Sequence, residues 1–344
     1  MASTNHCRFM CLALLFILGV WASPAASSSR LLNEQSMLER HEQWMAHHGR
    51  VYTDAKEKDM RFTIFKENVE RIEAFNAGVD RGYKQSVNQF ADLTNEEFRA
   101  SHTGYKRQSP QATTSKPTIF RYANVTEVPT TMDWREKGAV NPVKNQIPCG
   151  CCWAFSAVAA VEGINQIKTG KLISLSEQQL VDCDSENHGC DGGLVDVAFQ
   201  YMEQNNGLTT EDNYTYMEEA SVCNTDMAAN PAVKITGHED VPSNSEEALL
   251  QAVANQPVSV AIEGTGYDFT YYSSGVFTGT CGTNLDHAVT VVGYGTDDTD
   301  GTKYWLVKNS WGTGWGENGY MRIQRDATEG GLCGIAMQAS YPTA

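Results

Sequence analysis

The chain has 344 residues, 41% of them apolar and 20% charged, enough for two domains or one large one with a sizeable core. Its formal net charge is −16, and the acid is concentrated: residues 26–127 hold 15 Lys and Arg against 14 Asp and Glu, while residues 128–344 hold 10 against 28. Such a deficit of basic residues excludes nucleic acid and anionic membrane as partners, and it suits work in acid as well as simple solubility.

In chain order, Arg8 precedes the apolar run FMCLALLFILGVWA and then small residues, including Ala25 and Ala26. This predicts a secretory signal peptide over residues 1–25, too short in its apolar part to span a bilayer, and hence a lumenal product with no membrane segment after its removal. Eight of the ten cysteines lie from Cys149 onward, which in an oxidising compartment places all disulfides in that part. Asn124 and Asn213 stand in glycosylation tripeptides. A vacuole, a lysosome-like compartment and the exterior all remain open as destinations.

Residues 37–76 are charged and amphipathic, with Phe62, Phe65, Val69, Ile72 and Phe75 at helical spacing. SVNQF then offers a short alternating run, and Thr94 with Glu97 forms a capping box that opens another helix. HTGYKRQSPQATTSKPTIF is rich in Pro, Ser and Thr and reads as an exposed linker. Beyond it, residues 153–170 predict a buried central helix stopped at Gly170, with further helices after the cap Ser176 and over LVDVAFQYMEQN. After about Val241 the runs QPVSVAI, GVFTG, HAVTVVGYG, KYWLVKNS and GYMRIQR predict antiparallel strands. Helices first and strands later give an α+β class with a cleft between two subdomains.

Three cysteines crowd NQIPCGCCWAF. Cys152 opens the apolar helix, where unpaired backbone N–H groups favour a thiolate. His287, at the head of a core strand, is the histidine best placed to take its proton, although a lone histidine is more often structural. CGCC is also formally a CxxC motif, which keeps a thiol–disulfide oxidoreductase in view, but no βαβ unit surrounds it. A non-catalytic storage or binding protein is the other alternative.

NQIPCGCCWAF, LDHAVTVVGYG and KNSWGTGWGENGY, in that order, resemble the three active-site segments of papain-like cysteine proteases; His287 and Asn309 follow Cys152 by 135 and 157 residues. The resemblance implies a two-subdomain fold, helical on one side and an antiparallel β-barrel-like sheet on the other, behind a small helical propeptide domain. It implies Cys152 as nucleophile, His287 as general base, Asn309 orienting the imidazole under a shield from Trp311, and Gln146 donating to the oxyanion beside the Cys152 amide. Disulfides map to Cys149 with Cys190, Cys183 with Cys223 and Cys281 with Cys333, leaving Cys151, in a place usual for Ser or Ala, as a small filler or a redox-sensitive neighbour. Gly193 admits the substrate backbone. Leu194, Val195, Ala261 and Leu285 wall the pocket for the second residue before the scissile bond (P2), with Gln338 at its far end, so an apolar P2 residue is expected.

Glu57, Arg61, Phe65, Asn68, Ile72 and Asn76 match the propeptide helix pattern of that family, and Asn88, Phe90 and Asp92 match most of a second one, with Ser86 where glycine is usual. The implied division is a signal at 1–25, an inhibitory propeptide at 26–127 (helical over about 37–98, linker 99–127) and a mature domain at 128–344. Expected partners are protein and peptide substrates, the propeptide itself and cystatin-type inhibitors, for a monomer with no cofactor, metal or nucleic acid.

Overall fold

The computed structural model describes residues 24–106 and 120–344. Most of the expected signal peptide, and residues 107–119 of the expected linker, lie outside the described residues. The chain forms two units, one ending at Thr53 and one running from Asp54 to Ala344. In the first, helix α1 (Pro24–His48) carries His41, whose ring stacks on Trp44 at 5.9 Å and on Tyr52 at 6.3 Å. The continuous helical stretch predicted over 37–76 is therefore two helices. Gly49 turns the chain at φ 63°, a conformation open to glycine without strain, and the Asp54 carboxylate caps α2 (Ala55–Ala77) by accepting from the Lys56 amide.

In the second unit α2 buries Phe65, Asn68, Val69 and Ile72, a stripe at three- and four-residue spacing. Its polar residues bind the loops that follow. Arg61 donates to Glu97 at 2.8 Å and to the Asp92 carbonyl at 3.0 Å, and Asn76 exchanges two hydrogen bonds with the backbone of Gln85. Strand β1 (Tyr83–Gln85) is followed by α3 (Asn95–His102), which begins with both bonds of the Thr94–Glu97 capping box. The alternating run expected at SVNQF is not a strand: Asn88 donates to the Thr270 carbonyl and accepts from the Phe90 amide, holding the chain in a loop.

Strand β2 (Met132–Asp133) leads to helices α4 (Cys152–Thr169), α5 (Glu177–Cys183), α6 (Val195–Gln204) and the short α7 (Thr225–Ala228). Ser176 caps α5 and Gly170 ends α4 in the left-handed region. There follow β3 (Gly237–Asp240), α8 (Glu246–Val253), β4 (Val258–Ile262), α9 (Tyr267–Thr270), β5 (Tyr272–Phe277), β6 (His287–Thr296), β7 (Lys303–Lys308), β8 (Tyr320–Gln324) and β9 (Ala339–Thr343). Helix α8 interrupts what the sequence suggested was all strand; Ser245 caps it and Ala248, Leu249, Ala252 and Val253 form its buried face.

The strands order as β1-β5-β8-β7-β6-β4-β9-β3, with β2 on β6, and every pairing is antiparallel except β5 with β8. One core, around Trp153, Leu180, Phe199 and Met202, lies among the helices; the other, around Val291, Trp305, Trp315 and Met321, lies in the sheet. Helix α4 joins them. Its Ser156 hydroxyl donates to the Val289 carbonyl of β6 at 2.7 Å, and the Ser259 hydroxyl of β4 donates to the Ser156 carbonyl at 3.0 Å.

Asn68 is the polar residue on which the α2 unit turns, since its buried amide donates to the carbonyls of Ala91 and Leu93 at 2.9 and 3.1 Å. Replacing it by Leu leaves both acceptors dry, a loss of about 2–3 kcal/mol. Urea unfolding of full-length Asn68→Leu should show that loss, whereas the exposed Glu70→Ala should change stability by less than about 0.5 kcal/mol.

Candidate active site

Cys152 is the first residue of α4, and His287 is the first of β6, paired in register with Ile262 of β4. The hydroxyl bonds that lock α4 to β4 and β6 bring the two together. The backbone amide of Ala288, next to His287, acts directly on the Cys152 sulfur. Both side chains are fully buried. His287 Nε2 lies 2.8 Å from Asn309 Oδ1, so the ring donates there, while Nδ1 is buried without a hydrogen-bond partner. The neutral ring thus keeps its lone pair on Nδ1. The indole of Trp311 stacks on the imidazole at 4.5 Å and 22°.

Gln146 is held from three sides. Its amide nitrogen donates to the Cys149 carbonyl at 3.0 Å, its side-chain oxygen accepts from the Ser310 hydroxyl at 2.5 Å, and its backbone N–H donates to the Ser310 carbonyl. Tyr216 adds a fourth anchor: its hydroxyl donates to the Gln146 carbonyl at 2.5 Å and lies 3.1 Å from Cys151 Sγ. Cys151 thus faces Tyr216, and burial pushes its thiol far up. Tyr216, Ser310 and Ser156 carry no signature in the sequence, because each acts through a contact between segments distant in the chain.

The six remaining cysteines of this region form three bridges: Cys149–Cys190, Cys183–Cys223 and Cys281–Cys333, with S–S distances of 2.08, 2.03 and 2.02 Å. Among the described residues Cys151 and Cys152 are the free ones. Asn124 and Asn213 are both exposed, but the Asn213 amide nitrogen already donates to Thr209 Oγ1 and the Met227 carbonyl.

The segment read as a linker is tied down at both described ends. The amide of Gly193 donates to the Gly104 carbonyl at 2.8 Å and the amide of Lys106 donates to the Gly193 carbonyl at 3.0 Å, a parallel bridge that sets Tyr105 opposite Gly193. Further on, Arg121 pairs with Glu239, and the Tyr122 ring packs against Tyr341 at 5.3 Å. Composition concealed this, because backbone amides and single aromatics do the docking. Gly193 is required from behind as well: a Cβ there would run into the Asn187 side chain and the Trp153 ring.

Burial sets the protonation of the pair. Burial pushes the Cys152 thiol up to about 12, against the opposing pull of the Ala288, Gly104 and Trp153 amides. Burial also pushes His287 down to about 4, only partly offset by the Asn309 hydrogen bond. The helix N-terminus favours a thiolate, as the sequence suggests, but desolvation outweighs it while residues 104–106 lie across the sulfur. The strand offers the sulfur an N–H, that of Gly104, as an electrostatic partner.

Comparison with known proteins gives the class of this site. Residues 128–343 match the family described as "Papain family cysteine protease", and residues 41–98 match the "Cathepsin propeptide inhibitor domain (I29)". The chain is 60% identical to the senescence-specific cysteine protease SAG12 of Arabidopsis thaliana, over 92% of this chain and 93% of that one, and 52% identical to vignain of Ricinus communis, over 97% and 93%. Among solved structures it is similar to the proform of the Amb a 11 cysteine protease, a ragweed pollen allergen, with TM-score 0.84 and 46% identity over 90% of this chain and 95% of that one. It is likewise similar to recombinant stem bromelain precursor, with TM-score 0.82 and 46% identity over 90% and 99%. The chain belongs to the papain family of cysteine proteases and carries an inhibitory propeptide domain of the cathepsin type.

With a pKa of about 12, the Cys152 thiolate at pH 7 amounts to on the order of one part in 10⁵, against a few per cent for an ordinary thiol. Iodoacetamide should therefore alkylate Cys152 of the full-length chain at least about 100-fold more slowly than free cysteine, as read by mass spectrometry of its peptide. Labelling at the free-cysteine rate would contradict the covered geometry.

Proposed function

We propose that the chain is the zymogen of an endopeptidase that cleaves peptide bonds through Cys152 and His287. The observation that carries this reading is the unpartnered, buried His287 Nδ1, its ring oriented from the other nitrogen by Asn309 Oδ1, beside the amide that acts on the Cys152 sulfur. Once residues 104–106 leave, solvent relieves the desolvation of both groups. The proton then passes from sulfur to Nδ1, giving a thiolate–imidazolium pair.

The thiolate attacks the substrate carbonyl carbon, and the oxyanion accepts from the Cys152 amide and the remaining N–H of the Gln146 side chain. The imidazolium gives its proton to the departing amine as the C–N bond breaks, leaving a thioester. Water, deprotonated by Nδ1, hydrolyses that thioester and restores the thiol. Trp311 shields the His287–Asn309 bond from water. The walls Leu194, Val195, Ala261 and Leu285 favour an apolar P2 side chain, with Gly193 pairing with the substrate backbone. Cys151 fills space beside Tyr216.

Residues 1–25 serve as the signal and 26–127 as the removable inhibitor, with the cut near Val128. The three disulfides and the two glycosylation tripeptides suit a secreted or vacuolar destination. The proton that passes from sulfur to Nδ1 comes from within the pair, so the pair takes up none from solvent on uncovering and the pH dependence comes from carboxylates. Arg121 holds the Glu239 carboxyl below its ordinary value, burial opposing, and that contribution to docking is lost as pH falls through the depressed pKa. Burial raises Asp286, which opposes the trend.

An epoxide peptide should label the processed enzyme once per chain, at Cys152, and Cys152→Ala should abolish both labelling and peptide cleavage. His287→Ala should lower kcat/KM by at least about 10³. Asn309→Ala should cost less and shift the acidic limb of the pH profile, because it alters the imidazole without removing it. Processing of the full-length chain should accelerate as pH falls below about 4.5, where a released Glu239 takes up a proton; a rate unchanged between pH 5 and pH 3.5 would refute the linkage.

A further inference from the structure

Shortly before the expected cut, the chain docks a second time. Arg121 is the centre of this contact: its Nε and Nη2 donate to Oε1 of Glu239 at 2.9 and 2.6 Å, and its backbone N–H donates to Oε2 at 3.2 Å. Phe120 and Tyr122 flank it, and both rings meet that of Tyr341, at 6.3 and 5.3 Å. The Tyr122 hydroxyl then donates to Oε1 of Gln256 at 2.9 Å, and the Gln251 amide donates to the Val125 carbonyl at 3.0 Å. Among the described residues no hydrogen bond joins these receptor side chains to residues 104–106, which are held instead by Gly193, Asp286 and Gln338.

The receptors are fixed independently of their occupant. Glu239 of β3 pairs in register with Tyr341 of β9, whose hydroxyl donates to Oε2 of Glu239 at 2.7 Å. Gln256 is fully buried, and its own amide nitrogen donates to the Pro342 carbonyl at 2.9 Å, which aims Oε1 at the Tyr122 position. Removal of residues 120–127 thus leaves a carboxylate short of three donors, a buried amide oxygen short of one and an uncovered aromatic ring, all on regular elements or tied to them. We propose that the processed enzyme keeps this surface as a peptide-binding site outside the catalytic groove, for an extended segment that carries arginine between two aromatic residues. This inference rests on the proteolytic reading above and on the cut near Val128. Lysine cannot replace the arginine, because a single ammonium does not reproduce two fixed donors converging on Oε1. Free arginine is insufficient as well, since the rings on either side supply the contacts to Tyr341 and Gln256. In a protein substrate the site adds a second point of attachment and favours chains that carry the triplet.

The test uses enzyme processed from the full-length chain, with Cys152 blocked by the epoxide peptide, and a fluorescent peptide of residues 120–126. Polarisation should saturate with a Kd of about 0.1 mM. Arg121→Lys in the peptide and Glu239→Gln in the enzyme should each weaken binding about ten-fold, and Tyr122→Phe in the peptide about five-fold, the losses of charge-assisted and neutral hydrogen bonds respectively. The peptide variants need no folding, so they decide the matter even if the enzyme variant is unstable. The full-length chain, whose own segment fills the site, should bind at least about ten-fold more weakly than the processed enzyme. With Cys152 free, saturating peptide should slow cleavage of an unfolded protein that carries the triplet and leave a short fluorogenic substrate unaffected. No saturation up to about 1 mM, equal binding of the Arg121→Lys peptide, or equal effects on the two substrates overturns the inference, while normal Cys152 labelling leaves the proteolytic reading standing. N-terminal sequencing that places the cut before Phe120 also overturns it alone, because the site then never opens. Absence of labelling and cleavage overturns both.

Discussion

The arrangement depends on the lock between the N-terminal turns of α4 and the sheet. Ser156 and Ser259 each contribute a buried hydroxyl, one directed from helix to strand and one from strand to helix. Each such bond adds about 1 kcal/mol net, but their greater effect is geometric, since an unmade bond at either site would leave a dry carbonyl. They fix the start of α4 against the start of β6. Cys152 and His287, 135 residues apart in the chain, become neighbours because each is the first residue of an element whose body is pinned to the other. Around this pair the supports come from every direction: Asn309 and Trp311 from the segment after β7, Gln146 and Tyr216 from loops on the helical side.

The covering strand adds a second constraint of a different kind. It holds its place through alternate backbone bonds to Gly193, through the Gly104 and Tyr105 amides on the Asp286 carbonyl, and through the Tyr105 ring, which packs on the helical core and bonds Gln338. Its effect on chemistry is dielectric. By excluding water from both members of the pair it favours a neutral thiol and a neutral imidazole. Covering is thus more than obstruction, because the Cys152 thiol is also held in its neutral state.

Much of this was legible in the sequence, and the reasons are specific. The capping box at Thr94, the cap at Ser176 and the stop at Gly170 are local devices whose partners lie within a few residues, so their positions could be read directly. The strands that became β4 to β8 announced themselves by β-branched runs. The break at Gly49 was missed because a single glycine weakens a helical pattern without marking its end, and α8 because its eight residues stand among strands. The docking of Tyr105 and the anchoring by Tyr216 were invisible for a deeper reason: each depends on a few polar contacts to partners more than 60 residues away, which leave no periodicity to detect.

Trp311 lies over the imidazole on one face, while Phe90 and Phe98 of the propeptide meet it edge-on at 5.7 and 5.2 Å, alongside Phe269 and Trp315 at 5.8 and 5.1 Å. The same indole therefore belongs to two hydrophobic assemblies at once. When the propeptide departs, half of that aromatic box is lost and apolar surface is returned to water, at about 25 cal/mol for each Å². Maturation thus carries an optical signature in the emission of this indole, and it trades folding stability for an open groove.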